Sequence, residues 1–224
     1  MIKTVIFDLD DTLYEELLFV KSGFKEVCIF LSQKYNLNFN ELYDQCLKIL
    51  SKYGRGKIFN ILCETYNIDE NISNLVNIYR SSKPVLYLYK DSMEIIKELR
   101  EKNYNLAIIT DGDSKVQWNK IRALKLENFI DKIVVCDDLG KEYWKPHKKP
   151  YLEVVNYFNN LNSECVYIGD NPNKDFIGAR KLGIKTIRII RKQGDHMKTF
   201  LEDQYEADFT INSLLQIKDI LKYK

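Results

Sequence analysis

Five short runs, Thr4 to Leu9, Leu106 to Thr110, Lys132 to Cys136, Cys165 to Gly169 and Lys185 to Ile190, are rich in β-branched residues and carry no polar alternation. A strand with one face in water alternates polar and apolar side chains, so these runs predict strands buried on both faces. Helical patterns lie around 91–102, 114–125, 150–161 and 173–183, the last ending at Gly183, where a C-terminal cap would sit. Strand-helix alternation of this kind predicts an α/β fold, a doubly wound parallel sheet with helices on both faces.

In open sheets of this type ligands bind beyond the carboxyl ends of the strands. The residues there are polar: Asp8 and Asp10 at and just past the end of the first run, Thr110 and Asp111 at the end of the second, Asp137 and Asp138 after the third, Asp170 and Asn171 after the fourth. Four acidic strand ends are expected to converge on one crevice.

Residues 14–89 break the alternation. They carry long helical patterns, Glu15 to Tyr35 and Asn40 to Tyr53, with no buried strand between them. The expected organisation is therefore a core of residues 1–13 and 90–224 interrupted by a helical cap at 14–89, with hinges near Leu13-Tyr14 and Pro84 to Tyr89. In the tail, Asp208 to Ile211 reads as an edge strand and Ser213 to Leu221 as a closing helix with Asn212 as its N-cap.

Composition excludes several classes. The 34 basic residues nearly balance the 32 acidic ones, which leaves no basic excess for nucleic acid. Five cysteines, Cys28, Cys46, Cys63, Cys136 and Cys165, form no Cys-x-x-Cys pair and suit buried free thiols better than disulfides or structural zinc. The start, Met1 to Asp8, places acid where a signal peptide would be apolar, and no run approaches a membrane helix. A cytoplasmic monomer or homodimer, without membrane or nucleic-acid partners, is expected.

The pair Asp8-Leu9-Asp10 at the end of a buried strand suits phosphoryl transfer. That chemistry needs a nucleophile, a proton donor for the leaving oxygen, cations around the phosphoryl group and a metal to offset charge. An aspartate can attack phosphorus and form an aspartyl-phosphate, and Asp8 and Asp170 can hold magnesium, which prefers oxygen ligands. The stretch Phe7-Asp8-Leu9-Asp10-Asp11-Thr12-Leu13 resembles the first motif of the haloacid dehalogenase-like superfamily, Asp-x-Asp-x-Thr. Thr110, Lys145-Pro146 with Tyr151 six residues after the lysine, and Gly169-Asp170 with Asp175 are similar to its other three motifs, in order.

The resemblance implies a Mg2+-dependent phosphatase acting on a small phosphomonoester such as a sugar, polyol or nucleoside phosphate. It casts Asp8 as nucleophile and metal ligand, and Asp10 as acid and base that also binds metal through its backbone carbonyl. Thr110 and the backbone N–H of Asp111 would hold phosphoryl oxygens, Lys145 would offset charge, and Asp170 would bind metal. Asp175 would support the metal shell or orient Lys145, with Asn171 beside it. Dehalogenases of this resemblance lack the second acid, so Asp10 favours phosphate chemistry. A phosphomutase and a non-catalytic phospholigand-binding member are the alternatives.

Asp111 stands where asparagine is common, and its charge would weaken phosphate binding unless the side chain turns away or contacts another group. Lys148 and Lys149 are read as the solvent-facing start of the next helix, and His147 and His196 as solvent-facing. Trp144 fits either the crevice wall or the core. Within the cap, Tyr53-Gly54-Arg55-Gly56-Lys57 offers Arg55 as a substrate contact.

Overall fold

The computed structural model describes residues 1–221. The chain divides into two compact units, Met1–Glu16 together with the chain from Leu86 onward, and Leu17–Val85.

The first unit is the α/β layer. It opens with β1 (Thr4–Phe7), and the chain then enters the helical segment through α1 (Glu16–Tyr35), α2 (Phe39–Tyr53), α3 (Ile58–Thr65) and α4 (Ile72–Arg80). It returns as α5 (Lys90–Glu101), β2 (Asn105–Thr110), α6 (Ser114–Ala123), β3 (Lys132–Val135), α7 (Cys136–Leu139), α8 (Lys149–Tyr157), β4 (Cys165–Gly169), α9 (Ile177–Lys181), β5 (Lys185–Ile189), β6 (Phe209–Ile211) and α10 (Ile217–Leu221). Among the described residues the strands form one six-stranded sheet in the order β3-β2-β1-β4-β5-β6. Every pairing is parallel. Val5, Ile6, Phe7, Leu106, Ile108, Val166 and Ile168 are fully buried, as strands covered on both faces require.

The strand order reverses beside β1, and this is where a doubly wound sheet opens its crevice. Phe7 is level with Ile108 of β2 and Ile168 of β4. Asp8, one residue further, therefore emerges between Ile109-Thr110 and Gly169-Asp170.

The helical unit has a core of its own. Val20, Phe24, Val27 and Leu31 recur at three- and four-residue spacing along α1 and are buried with Leu42, Ile49, Leu62 and Leu75. Asn38 and Asn71 cap α2 and α4, each side chain accepting two backbone N–H groups of the first turn. All five cysteines are free and buried. Among the described residues no helix is long and apolar enough to cross a membrane.

Three expectations need correction. The helix expected over 173–183 shrinks to α9, because residues 171–176 form a turn instead. There the Asn173 N–H donates to Asn171 Oδ1 at 3.0 Å and the Asn171 N–H to Asp175 Oδ2 at 2.9 Å, bonds that compete with helix formation. The closing helix starts as a 3-10 turn, Leu214–Gln216, capped by Ser213 and not Asn212; Ser213 Oγ accepts from Leu215 while Gln216 Oε1 takes the Asn212 and Ser213 N–H groups. The acids after the third strand do not join the others. Asp137 accepts the Ser114 N–H, and Asp138 takes Ser114 Oγ and Trp118 Nε1, so both anchor α6.

Candidate active site

Lys145 occupies the centre of the site. Its side chain is fully buried, and Nζ donates to Asp8 Oδ1 at 2.6 Å, Asp175 Oδ1 at 2.8 Å and the Tyr167 hydroxyl at 2.9 Å. Burial opposes a charged ammonium, but Asp175 and Asp8 outweigh it and hold the Lys145 pKa well above the usual lysine value. Tyr151 supports this arrangement from α8 by donating its hydroxyl to the Asp175 carbonyl at 2.9 Å.

The carboxylates differ sharply in environment. Burial pushes Asp8 up to about 7, with Lys145 pulling the other way. Asp175 is also buried, yet Lys145 and Lys174 hold it below the ordinary carboxylate range. Burial, reinforced by Asp175 and Asp8, drives Asp170 well above that range. Asp10 is lowered, because Lys120 outweighs burial.

Asp8, Asp170 and Asp175 can each offer an oxygen, and these atoms lie within 4.8 Å of one another. An all-carboxylate donor set fits a hard divalent cation such as magnesium and not the nitrogen and sulfur preferences of zinc. Asp175 already spends Oδ1 on Lys145 and Tyr167 and Oδ2 on the Asn171 N–H. Asp8 and Asp170 are therefore the better direct ligands, with Asp175 fixing Lys145 and the turn that follows Asp170. Gly169 makes this packing possible: a Cβ there would lie 2.4 Å from Asp175 Oδ2.

The Asp111 side chain does contact other groups. Oδ1 accepts the Lys145 N–H at 3.1 Å and Oδ2 pairs with Lys174 at 3.2 Å, so its charge is compensated. Thr110, at the end of β2, is buried and its hydroxyl meets Gln117 Nε2 at 2.6 Å. Asn171 is buried, with its side-chain oxygen committed to Asn173.

A crevice of about 430 Å³, measured with its open mouth, is lined by Asp8, Asp10, Asp11, Asp111, Asp170, Lys174, Asp195 and His196, among others. His196, half-buried, lines the wall of this open crevice. Burial lowers its pKa. The loop reaches the crevice because Arg188, buried in β5, donates Nη2 to the carbonyls of His196 and Thr199 at 2.9 and 2.5 Å, and because Asp11 Oδ2 accepts the Asp195 N–H at 3.2 Å. Asp11 itself sits at φ 51, in the left-handed region, and burial raises its pKa to about 6.

The remaining expectations divide. His147 accepts the Lys149 N–H, and Lys149 lies 3.7 Å from the Tyr143 ring, so both are partly covered. Trp144 is partly buried and packs against the core cluster that includes Tyr151 and Phe176. Arg55 is exposed in the turn between α2 and α3 of the helical unit. Gln117, Lys120, Tyr167 and Lys174 belong to the site although no motif marks them, and Tyr14, expected at the hinge, donates its hydroxyl to Asp10 Oδ1. Gln117 and Lys120 did leave a signal, two polar residues on the same helical face as Val116 and Ile121. Tyr167, in an apolar strand, left none.

Comparison with known proteins places this geometry. The family described as haloacid dehalogenase-like hydrolase matches residues 5–189. The chain is 31% identical to the glyceraldehyde 3-phosphate phosphatase of Methanocaldococcus jannaschii, over 99% of this chain and 98% of that protein. It is 26% identical to pyrophosphatase PpaX of Halalkalibacterium halodurans, over 100% and 98% of the two chains. The crystal structure of an HAD phosphatase from Thermococcus onnurineus superposes with a TM-score of 0.64 at 24% identity, covering 99% of this chain and 98% of that one. With Asp8, Asp10, Thr110, Lys145 and Asp170 gathered at the switch point of such a sheet, the chain belongs to the haloacid dehalogenase-like hydrolase family, and these two curated relatives are phosphatases.

Proposed function

We propose that the protein is a magnesium-dependent phosphomonoesterase that takes phosphate from a small metabolite through an aspartyl-phosphate at Asp8. One observation carries the reading: two aspartates two residues apart are each paired to a different buried lysine and have different further partners. Asp8 is clasped by Lys145 and lies within reach of Asp170, whereas Asp10 is held by Lys120, Gln117 and Tyr14. Separate environments for two acids are what separate roles require.

In the first step an Asp8 oxygen attacks phosphorus and the bond to the leaving oxygen breaks, while Lys145 and Thr110 stabilise charge on the phosphoryl oxygens. Magnesium held by Asp8, Asp170 and the Asp10 carbonyl would supply further charge neutralisation. Lys120 keeps resting Asp10 as a carboxylate, so it takes up a proton from solvent or from the phosphate monoanion before delivering it to the leaving oxygen. In the second step it accepts the proton of the water that attacks phosphorus, the bond from phosphorus to the Asp8 oxygen breaks, and phosphate leaves with the Asp8 carboxylate restored. The inserted unit, residues 14–89, is proposed as the substrate-selecting cap and Arg55 as its contact to the non-phosphate part.

The names of the relatives support a small phosphorylated substrate. Three-carbon sugar phosphates come first, with other sugar, polyol and nucleoside phosphates and pyrophosphate as comparisons. The test is phosphate release from this panel with magnesium or with chelator, for the native protein and Asp8→Asn. Magnesium-dependent turnover that falls by more than about a thousandfold in the variant is expected. Turnover that survives in Asp8→Asn, or none on any member, would overturn the proposal.

A further inference from the structure

α6 carries two buried polar residues three positions apart, and both face the reacting groups. Asp113 caps the helix, its side chain accepting the Val116 N–H, and this fixes where the next turns point. Gln117 and Lys120 are 1% and 3% exposed, on one helical face.

Gln117 Nε2 lies 2.9 Å from Asp10 Oδ2 and 2.6 Å from Thr110 Oγ1. An ionised carboxylate only accepts, so the nitrogen end of the amide must face it. The same nitrogen then donates to Thr110 Oγ1, and a hydroxyl that accepts this bond keeps its single hydrogen for another partner. On the other side, Lys120 Nζ donates to Asp10 Oδ1 at 2.7 Å and to Glu16 Oε1 at 3.3 Å, and the Tyr14 hydroxyl donates to Asp10 Oδ1 at 2.5 Å. Both oxygens of Asp10 are thereby fixed from α6. Gly112, at φ 129, leaves the space Gln117 fills: a Cβ there would lie 3.1 Å from the Gln117 amide carbon.

We propose that Gln117 and Lys120 are positioning residues for the reaction assigned to this site. Together they hold the Asp10 carboxylate in one orientation toward the leaving oxygen, and Gln117 turns the Thr110 hydroxyl hydrogen toward the phosphoryl group. The inference rests on the phosphomonoesterase reading above. It adds no bond-making step; it links the proton donor and the phosphate-binding hydroxyl through one amide, so that displacing either disturbs both.

The test compares leaving groups. p-Nitrophenolate departs without a proton and an alkoxide needs one, so single-turnover alcohol release is measured from p-nitrophenyl phosphate and from glycerol phosphate. Gln117→Met removes the donors without moving a charge, and Lys120→Met removes the cation. Because Lys120→Met strips a buried charge from beside two carboxylates and can unfold the chain, Gln117→Met is the decisive variant, with its thermal midpoint recorded. Release from glycerol phosphate should slow at least about tenfold more than release from the aryl ester, as loss of an aligned general acid requires. Equal slowing of the two esters in folded Gln117→Met overturns the positioning role and leaves the phosphatase reading intact. Absence of turnover of either ester by the native protein overturns both.

Discussion

Replacing Lys145 with methionine should destabilise the protein in a manner that depends on pH. The side chain is fully buried, and its ammonium pairs with Asp8 at 2.6 Å and Asp175 at 2.8 Å. Removing one partner of a buried ionic cluster leaves uncompensated charge and costs roughly 3–5 kcal/mol. For a chain of this size each kcal/mol moves the thermal midpoint by about 2–4 °C, so a fall of about 6–20 °C is expected. In the native protein Asp175 is held below its ordinary pKa, chiefly by Lys145 working against burial, so its contribution is present above the unfolded pKa and is lost as pH falls through the folded one. In Lys145→Met burial governs Asp8 and Asp175, and a carboxyl with a raised folded pKa destabilises as pH rises past the unfolded value. The gap between native and variant should therefore be widest near about pH 8 and narrow toward about pH 5. Circular dichroism melts in chelator across that range measure it. Equal midpoints at pH ~8, or a deficit constant with pH, would refute the claim that Lys145 is the counterion of a buried acidic cluster.

Two further substitutions probe the same site. Gly169→Ala should cost about 1–3 kcal/mol, since its Cβ would meet Asp175 Oδ2 at 2.4 Å and force the turn outward; urea unfolding measures the loss, and phosphate release should fall with it. Asp170→Asn should abolish the magnesium-induced rise in thermal midpoint without lowering the midpoint in chelator, because the amide replaces a carboxyl that burial already disfavours as an anion. A magnesium shift that persists in this variant would remove Asp170 from the ligand set.

Much of this was legible in the sequence because parallel strands buried on both faces write themselves as unbroken apolar runs. Thr4 to Phe7 and Cys165 to Gly169 needed nothing beyond that pattern, and Asp8 and Asp170 stood out as acids where such runs stop. Partners set by long-range packing were harder to read. The distance in sequence from Asp10 to Lys120 is 110 residues, and only the fold reveals that the lysine is a buried counterion and not a solvated helix face. Asp137 and Asp138 show the converse error, since acids after a strand satisfy a neighbouring helix as readily as they line a crevice. The place of His196 in the crevice wall depends on Arg188 fixing the backbone of the loop, a contact that no local pattern encodes.

The chain leaves the sheet and returns to it through a seam that is closed at its base. Tyr14 bridges Leu88 in antiparallel fashion, the Tyr89 N–H donates to the Leu13 carbonyl at 3.0 Å, and Arg191 joins the Thr12 carbonyl at 2.6 Å to both oxygens of Asp91. To the sheet, everything between is one long hairpin loop whose ends are already tied. The entropy of closing a loop grows only logarithmically, by about 0.6 kcal/mol for each doubling of length, so a closed seam makes the core nearly indifferent to how much chain it carries. Lengthening, shortening or exchanging that segment should therefore cost the α/β unit little stability.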